Sequence, residues 1–94
     1  MRSVTKAIKS AFEQGVSKTI GNTRTDGTSV FLFGNEIITK KIGKVFFSLA
    51  GWNTPTTRER INGIAGVWVS TYKGTAMVDG RVIDDNEWYQ VGGW

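Results

Sequence analysis

The sequence predicts an α+β fold of one domain over residues 1–94, and three observations carry that prediction. Apolar residues recur at helical spacing near the amino terminus, Gly-punctuated runs of β-branched and aromatic residues follow, and a second short helical segment interrupts those runs before more strands. Ninety-four residues suit one hydrophobic core and are too few for two. Four Trp, five Phe and two Tyr let so short a chain bury a useful core. At this size self-association is a common way of adding buried area, so a homo-oligomer is expected.

The first helix is expected from Ser3, as N-cap, to about Ile20. Val4, Ala7, Ile8, Ala11, Phe12 and Val16 share one face, Lys6 and Lys9 another, and Gly21-Asn22 supplies the stop. The polar stretch from Asn22 to Ser29 reads as a loop. Three antiparallel strands should follow: Thr28 to Phe33, Glu36 to Lys41 and Lys44 to Ala50, with turns at Gly34-Asn35 and Gly43. A second helix is expected to begin at Thr56, where Thr56 and Glu59 have the spacing of a capping box, and to end at Gly66. Gly63 should weaken it by about 1 kcal/mol relative to Ala.

Three or four further short strands are expected within Val67 to Tyr72, Thr75 to Val78, Arg81 to Ile83 and Glu87 to Val91. Residues 92–94 read as a loose tail unless Trp94 plugs a pocket or a neighbouring subunit, and Trp52, Trp68 and Trp88 read as core residues.

Composition removes several kinds of chemistry. Without Cys there is no disulfide, thiolate nucleophile or Cys-based zinc site, and without His the commonest general base and metal ligand are missing. No cofactor, no metal and no enzymatic activity are therefore expected. Asp84, Asp85 and Glu87 form the nearest approach to a carboxylate cluster, but turn-favouring Asp and Asn account for them. The apolar runs fall far short of the roughly 20 residues of a membrane span, so no membrane partner is expected.

The net charge is +4 and unevenly spread: residues 1–60 carry ten basic and four acidic side chains, and residues 61–94 carry two and four. An anionic partner for the first part is one consequence to weigh against a merely solvated surface. The stretch from Trp52 to Asn62 is the most informative. Asn53, Thr54, Thr56, Thr57, Arg58 and Arg60 put backbone N–H groups, hydroxyls and guanidiniums at a helix start, a combination that suits a phosphate or carboxylate; Glu59 competes for the same donors. A second candidate is the hairpin Lys40-Lys41-Ile42-Gly43-Lys44 beside Phe46 and Phe47, where basic and aromatic side chains on a sheet suit single-stranded nucleic acid, with Lys6 and Lys9 of the first helix assisting. The bland alternative is a hairpin kept soluble by its lysines.

The opening order of helix, three strands and helix resembles the double-stranded-RNA-binding domain. Thr56-Thr57-Arg58-Glu59-Arg60 lacks that module's Lys-rich helix start and further strands follow, so the assignment is not adopted. A different resemblance covers residues 28–91. Leu32-Phe33-Gly34-Asn35-x-Ile37, then Ala50-Gly51-Trp52-x-Thr54-x-Thr56-Thr57-Arg58-x-Arg60-Ile61-Asn62, and finally Asn86-Glu87-Trp88-Tyr89 are similar to small proteins of tailed bacteriophages. That pattern often has a His near the Gly34-Asn35 turn, and this chain has none. The resemblance implies a phage origin, action in the host cytoplasm and an accessory or early role against the host. A stoichiometric binder or inhibitor of host antiviral defence follows by analogy, its partner a host defence protein or a nucleotide signal. The alternatives are a nucleic-acid-binding protein and a minor structural component of the virion.

Overall fold

A computed structural model describes residues 1–93; the expectations attached to Trp94 lie outside the described residues. The elements are α1 (Ser3–Gln14), β1 (Lys18–Ile20), β2 (Thr23–Thr25), β3 (Ser29–Leu32), β4 (Asn35–Lys41), β5 (Lys44–Phe47), α2 (Pro55–Ala65), β6 (Val69–Tyr72), β7 (Thr75–Val78), β8 (Arg81–Val82) and β9 (Tyr89–Gln90). The α+β architecture holds: a helix, an antiparallel meander, a short helix, then more short antiparallel strands.

Helix α1 buries Ile8, Ala11 and Phe12, the stripe its spacing dictates. It stops earlier than periodicity implied. Gly15 takes a left-handed φ of 73°, its N–H and that of Val16 close on carbonyls of the last turn, and Val16 is left exposed. The first helical residue is Ser3, with Arg2 in the N-cap position and no side-chain cap. Residues expected to finish this helix and to form a loop instead make a hairpin, Lys18 pairing with Thr25 and Ile20 with Thr23. Gly21-Asn22 is thus its turn and not a helix stop.

The first sheet runs β1-β2-β3-β4-β5-β9, all antiparallel. Between β3 and β4, Val30 pairs with Ile38 and Phe31 with Glu36, which leaves Ile37 as the extra residue of a bulge. Ile37 and Ile38 are consequently both buried, whereas a regular strand would send them to opposite faces. Strands β6-β7-β8 form a separate sheet that touches α2, and β9 returns to pair with β5, its Tyr89 ring 5.8 Å from Phe47.

The core unites Ile8 and Phe12 of α1, Val30, Leu32, Ile38 and Phe47 of the first sheet, Ile61 and Ile64 of α2, and Val69, Ala76 and Val78 of the second. Trp52, Trp68 and Trp88 do not belong to it: each is exposed, Trp68 most of all. The core volume is taken by Ile, Val, Leu and Phe, which leaves these indoles at element boundaries.

Candidate functional site

Helix α2 starts at Pro55, whose missing N–H is no loss at a first helical position. The residue before it, Thr54, is the N-cap: its hydroxyl accepts from the Thr57 N–H at 3.2 Å. The cap therefore lies two residues before the capping box expected at Thr56 and Glu59. Glu59 turns away from its own helix start and accepts from the Thr5 hydroxyl of α1, 2.6 Å and 2.8 Å from its two oxygens. Burial opposes ionisation of Glu59, but hydrogen bonds from Thr5 and Arg60 outweigh it and hold the carboxyl below the usual range.

The residues expected to form one anion site divide among three places. Thr54, Thr56 and Thr57 line a cleft of about 580 Å³ between the start of α2 and the β3–β4 hairpin. Arg58 lines a different groove beside Trp68 and donates to Asn53 Oδ1, while Asn53 Nδ2 reaches toward Thr71 Oγ1 at 3.3 Å. Arg60 is 4% exposed and faces inward, with Nε donating to Thr23 Oγ1 at 3.0 Å and the guanidinium paired with Glu59. Since Pro55 has no N–H and that of Thr57 is capped, Thr56 is the first-turn residue that keeps a backbone donor without an intrahelical or capping partner. A phosphate would find little there.

What the cleft offers is apolar. Leu32, Ile37 and Leu49 form its floor, and Phe33 and Trp52 stand beside it, 72% and 58% exposed. Asn35 and Thr56 supply polar points, the Thr54 and Thr57 hydroxyls are bonded to each other at 2.9 Å with Thr57 buried, and no charged side chain lines the cleft. The hairpin turn is Phe33-Gly34, one residue before the expected Gly34-Asn35, and Phe33 has φ 51°. The first central position of such a turn favours Asn, Asp or Gly, so a large exposed aromatic there is held against local preference. Trp52 follows a second left-handed pair, Ala50-Gly51, and Gly51 is anchored by its N–H to the Asp85 carbonyl at 2.8 Å. Asp84 and Asn86 shape that anchoring turn, the Asn86 N–H donating to Asp84 Oδ1 at 2.8 Å. Among the described residues no three His, Cys, Asp or Glu side chains come together as a metal site.

The second candidate is also rearranged. Lys40 points to the helix side of the sheet, where Nζ donates to the Phe12 carbonyl and lies 4.2 Å from its ring centre, a cap for the end of α1. Lys6 and Lys9 stay on α1, in the layer that covers that same side. Lys41 and Lys44 stand opposite one another at the hairpin end, in register with the face bearing Thr39 and Phe46. Sequence reasoning missed Phe33, Asn35 and Trp52 as lining residues. The signal available was a Phe immediately before Gly in a two-residue turn.

Among the described residues no helix is long and apolar enough to cross a membrane. The family model described as Kyanoviridae Gp96 protein matches residues 1–94. No curated protein matches the chain, and no solved structure does.

Proposed function

The chain belongs to the Kyanoviridae Gp96 protein family, a family of phage proteins, and from that premise we propose that it is an accessory protein that binds a host protein stoichiometrically and catalyses nothing. The cleft between Phe33 and Trp52 carries this reading. Its apolar floor, exposed aromatic walls and uncharged lining match the anchor pockets of protein interfaces, where Trp supplies much of the binding energy. A protein partner is favoured over a nucleotide signal because Arg58 and Arg60 are committed elsewhere and the cleft lacks a cation. Antiviral defence machinery in the host cytoplasm is the target class this reading names. Two of the three segments that resemble phage proteins, 32–37 and 50–62, contribute to the cleft.

The test is affinity capture from host cells with the wild-type chain and with a Phe33→Ser/Trp52→Ser variant, followed by native mass spectrometry. One host protein should be held at a fixed ratio by the wild type and lost by the variant, whose melting temperature should stay close to wild type. Equal capture by both would move binding away from the cleft. A partner with no part in antiviral defence would remove that target class, and the same spectra report whether the chain binds as a homo-oligomer.

A further inference from the structure

Residues facing away from the two helices form a second surface, distinct from the cleft. Both helices contact the first sheet from one side, through Thr23, Thr25, Val30, Ile38 and Phe47. On the opposite side the strand registers set out three short rows. Arg24, Phe31 and Glu36 lie side by side across β2, β3 and β4, while Ser29, Thr39, Phe46 and Gln90 do so across β3, β4, β5 and β9. Lys41 faces Lys44 at the end. Trp88 lines a hollow of about 310 Å³ together with Glu36, Thr39, Lys41 and Phe46.

We infer that this face binds single-stranded nucleic acid, with Phe31, Phe46 and Trp88 stacking against bases and Arg24, Lys41 and Lys44 neutralising phosphates; Ser29 and Thr39 lie buried between them. Flat, partly exposed aromatic rings between cations are what an unpaired strand requires, since every base has a π-face and every linkage a negative charge. The Arg24 guanidinium already lies 4.1 Å from the Phe31 ring centre, a stack that a base can extend. Glu36, the acid within these rows, is engaged by the Ser29 hydroxyl at 2.6 Å, which in turn is 2.8 Å from Thr39 Oγ1. The rows therefore carry three positive charges against one negative.

The hairpin end adds a separate argument. Like charges directly opposite in a sheet destabilise it, and Lys41 and Lys44 are direct partners. The turn joining them places Ile42 at φ 53°, a conformation unfavourable for a β-branched residue, with its side chain 98% exposed. Neither feature helps the isolated fold. An anionic strand across the pair relieves the first of them. A duplex is disfavoured because its bases are already stacked and cannot reach Phe31 or Phe46.

Fluorescence anisotropy with labelled oligo(dT) and oligo(U) of about 12 nucleotides, beside a duplex of equal length, tests the inference. Both single strands should bind more tightly than the duplex and quench Trp emission, and a preference between them identifies DNA or RNA as the ligand. Phe46→Ala should weaken binding about tenfold, within the range for loss of one base stack. Trp88→Ala, at an exposed position, supplies the same readout with less risk to folding. Lys41→Ala/Lys44→Ala should flatten the slope of log K against log salt by about 1.4. The cleft variant Phe33→Ser/Trp52→Ser should bind as wild type does. No anisotropy change at submillimolar protein in low salt would overturn the inference. So would equal binding of duplex and single strand that is insensitive to both aromatic substitutions.

Discussion

Arg60 on α2 and Thr23 on β2, 37 positions apart in sequence, are joined by a 3.0 Å hydrogen bond from the guanidinium Nε to the hydroxyl. The same guanidinium reaches Thr5 Oγ1 at 3.3 Å and pairs with Glu59, so one side chain ties both helices to the sheet. Arg60→Met should lower stability by about 2–3 kcal/mol, the range for losing charged hydrogen bonds at a buried site, as measured by urea unfolding. Arg60→Lys should recover little, since an ammonium cannot reproduce the fork. A near-neutral Arg60→Met would mean that Thr5, Thr23 and Glu59 find other partners.

Acid should weaken this junction. Because the folded protein holds the Glu59 carboxyl below its ordinary range, its contribution is fully present above the unfolded value of about 4.3 and is lost as pH falls through the lower folded value. Chemical unfolding at a series of pH values should show stability falling through that acid window in the wild type. Glu59→Gln should have a shallower acid limb from a lower plateau.

The two readings of the α2 start predict opposite results. With Thr54 as the cap, Thr54→Ala should cost about 1 kcal/mol and Thr56→Ala little. A larger loss for Thr56→Ala would restore the capping box to Thr56.

Gly63 looks like a weak point in α2, and sequence alone invites Gly63→Ala as a stabilising change. A Cβ there would lie 2.4 Å from Thr5 Cγ2, and Thr5 is fully buried where α1 and α2 meet. Calorimetry should therefore show Gly63→Ala melting below wild type, its gain of about 1 kcal/mol in helix propensity exceeded by the clash.

Ile42→Asn should act in the other direction. The side chain packs against almost nothing and its backbone is left-handed, so Asn should stabilise by about 1 kcal/mol. A loss of stability would reveal a contact made by Ile42.

These cases show what the sequence discloses. The stripe Ile8, Ala11 and Phe12, the Gly66 stop and the β7 strand were legible because periodicity and turn chemistry act locally. Val16 extended the stripe in spacing while Gly15 had already ended the helix, so one apolar residue in register misplaced the boundary. The hairpin of β1 and β2 was hidden because strands of three residues, rich in Thr and Lys, carry no hydrophobic pattern. At the candidate site the threonines were legible from helix-start chemistry, but the inward turn of Arg60 was not. That direction depends on Thr5, Thr23 and Glu59 meeting in space. Aromatic content pointed Trp52 to the interior, whereas smaller side chains fill it.

Strand β9 has a consequence for how the chain assembles during synthesis. Strands β1 to β5 can zip in the order in which they leave the ribosome, but Phe46 and Phe47 wait for Gln90 and Tyr89, which emerge last among the paired residues. Until then the outer backbone edge of β5 is open to any passing extended segment, including one from a neighbouring nascent copy. Where many copies are synthesised close together, intermolecular mispairing at that edge would be felt first.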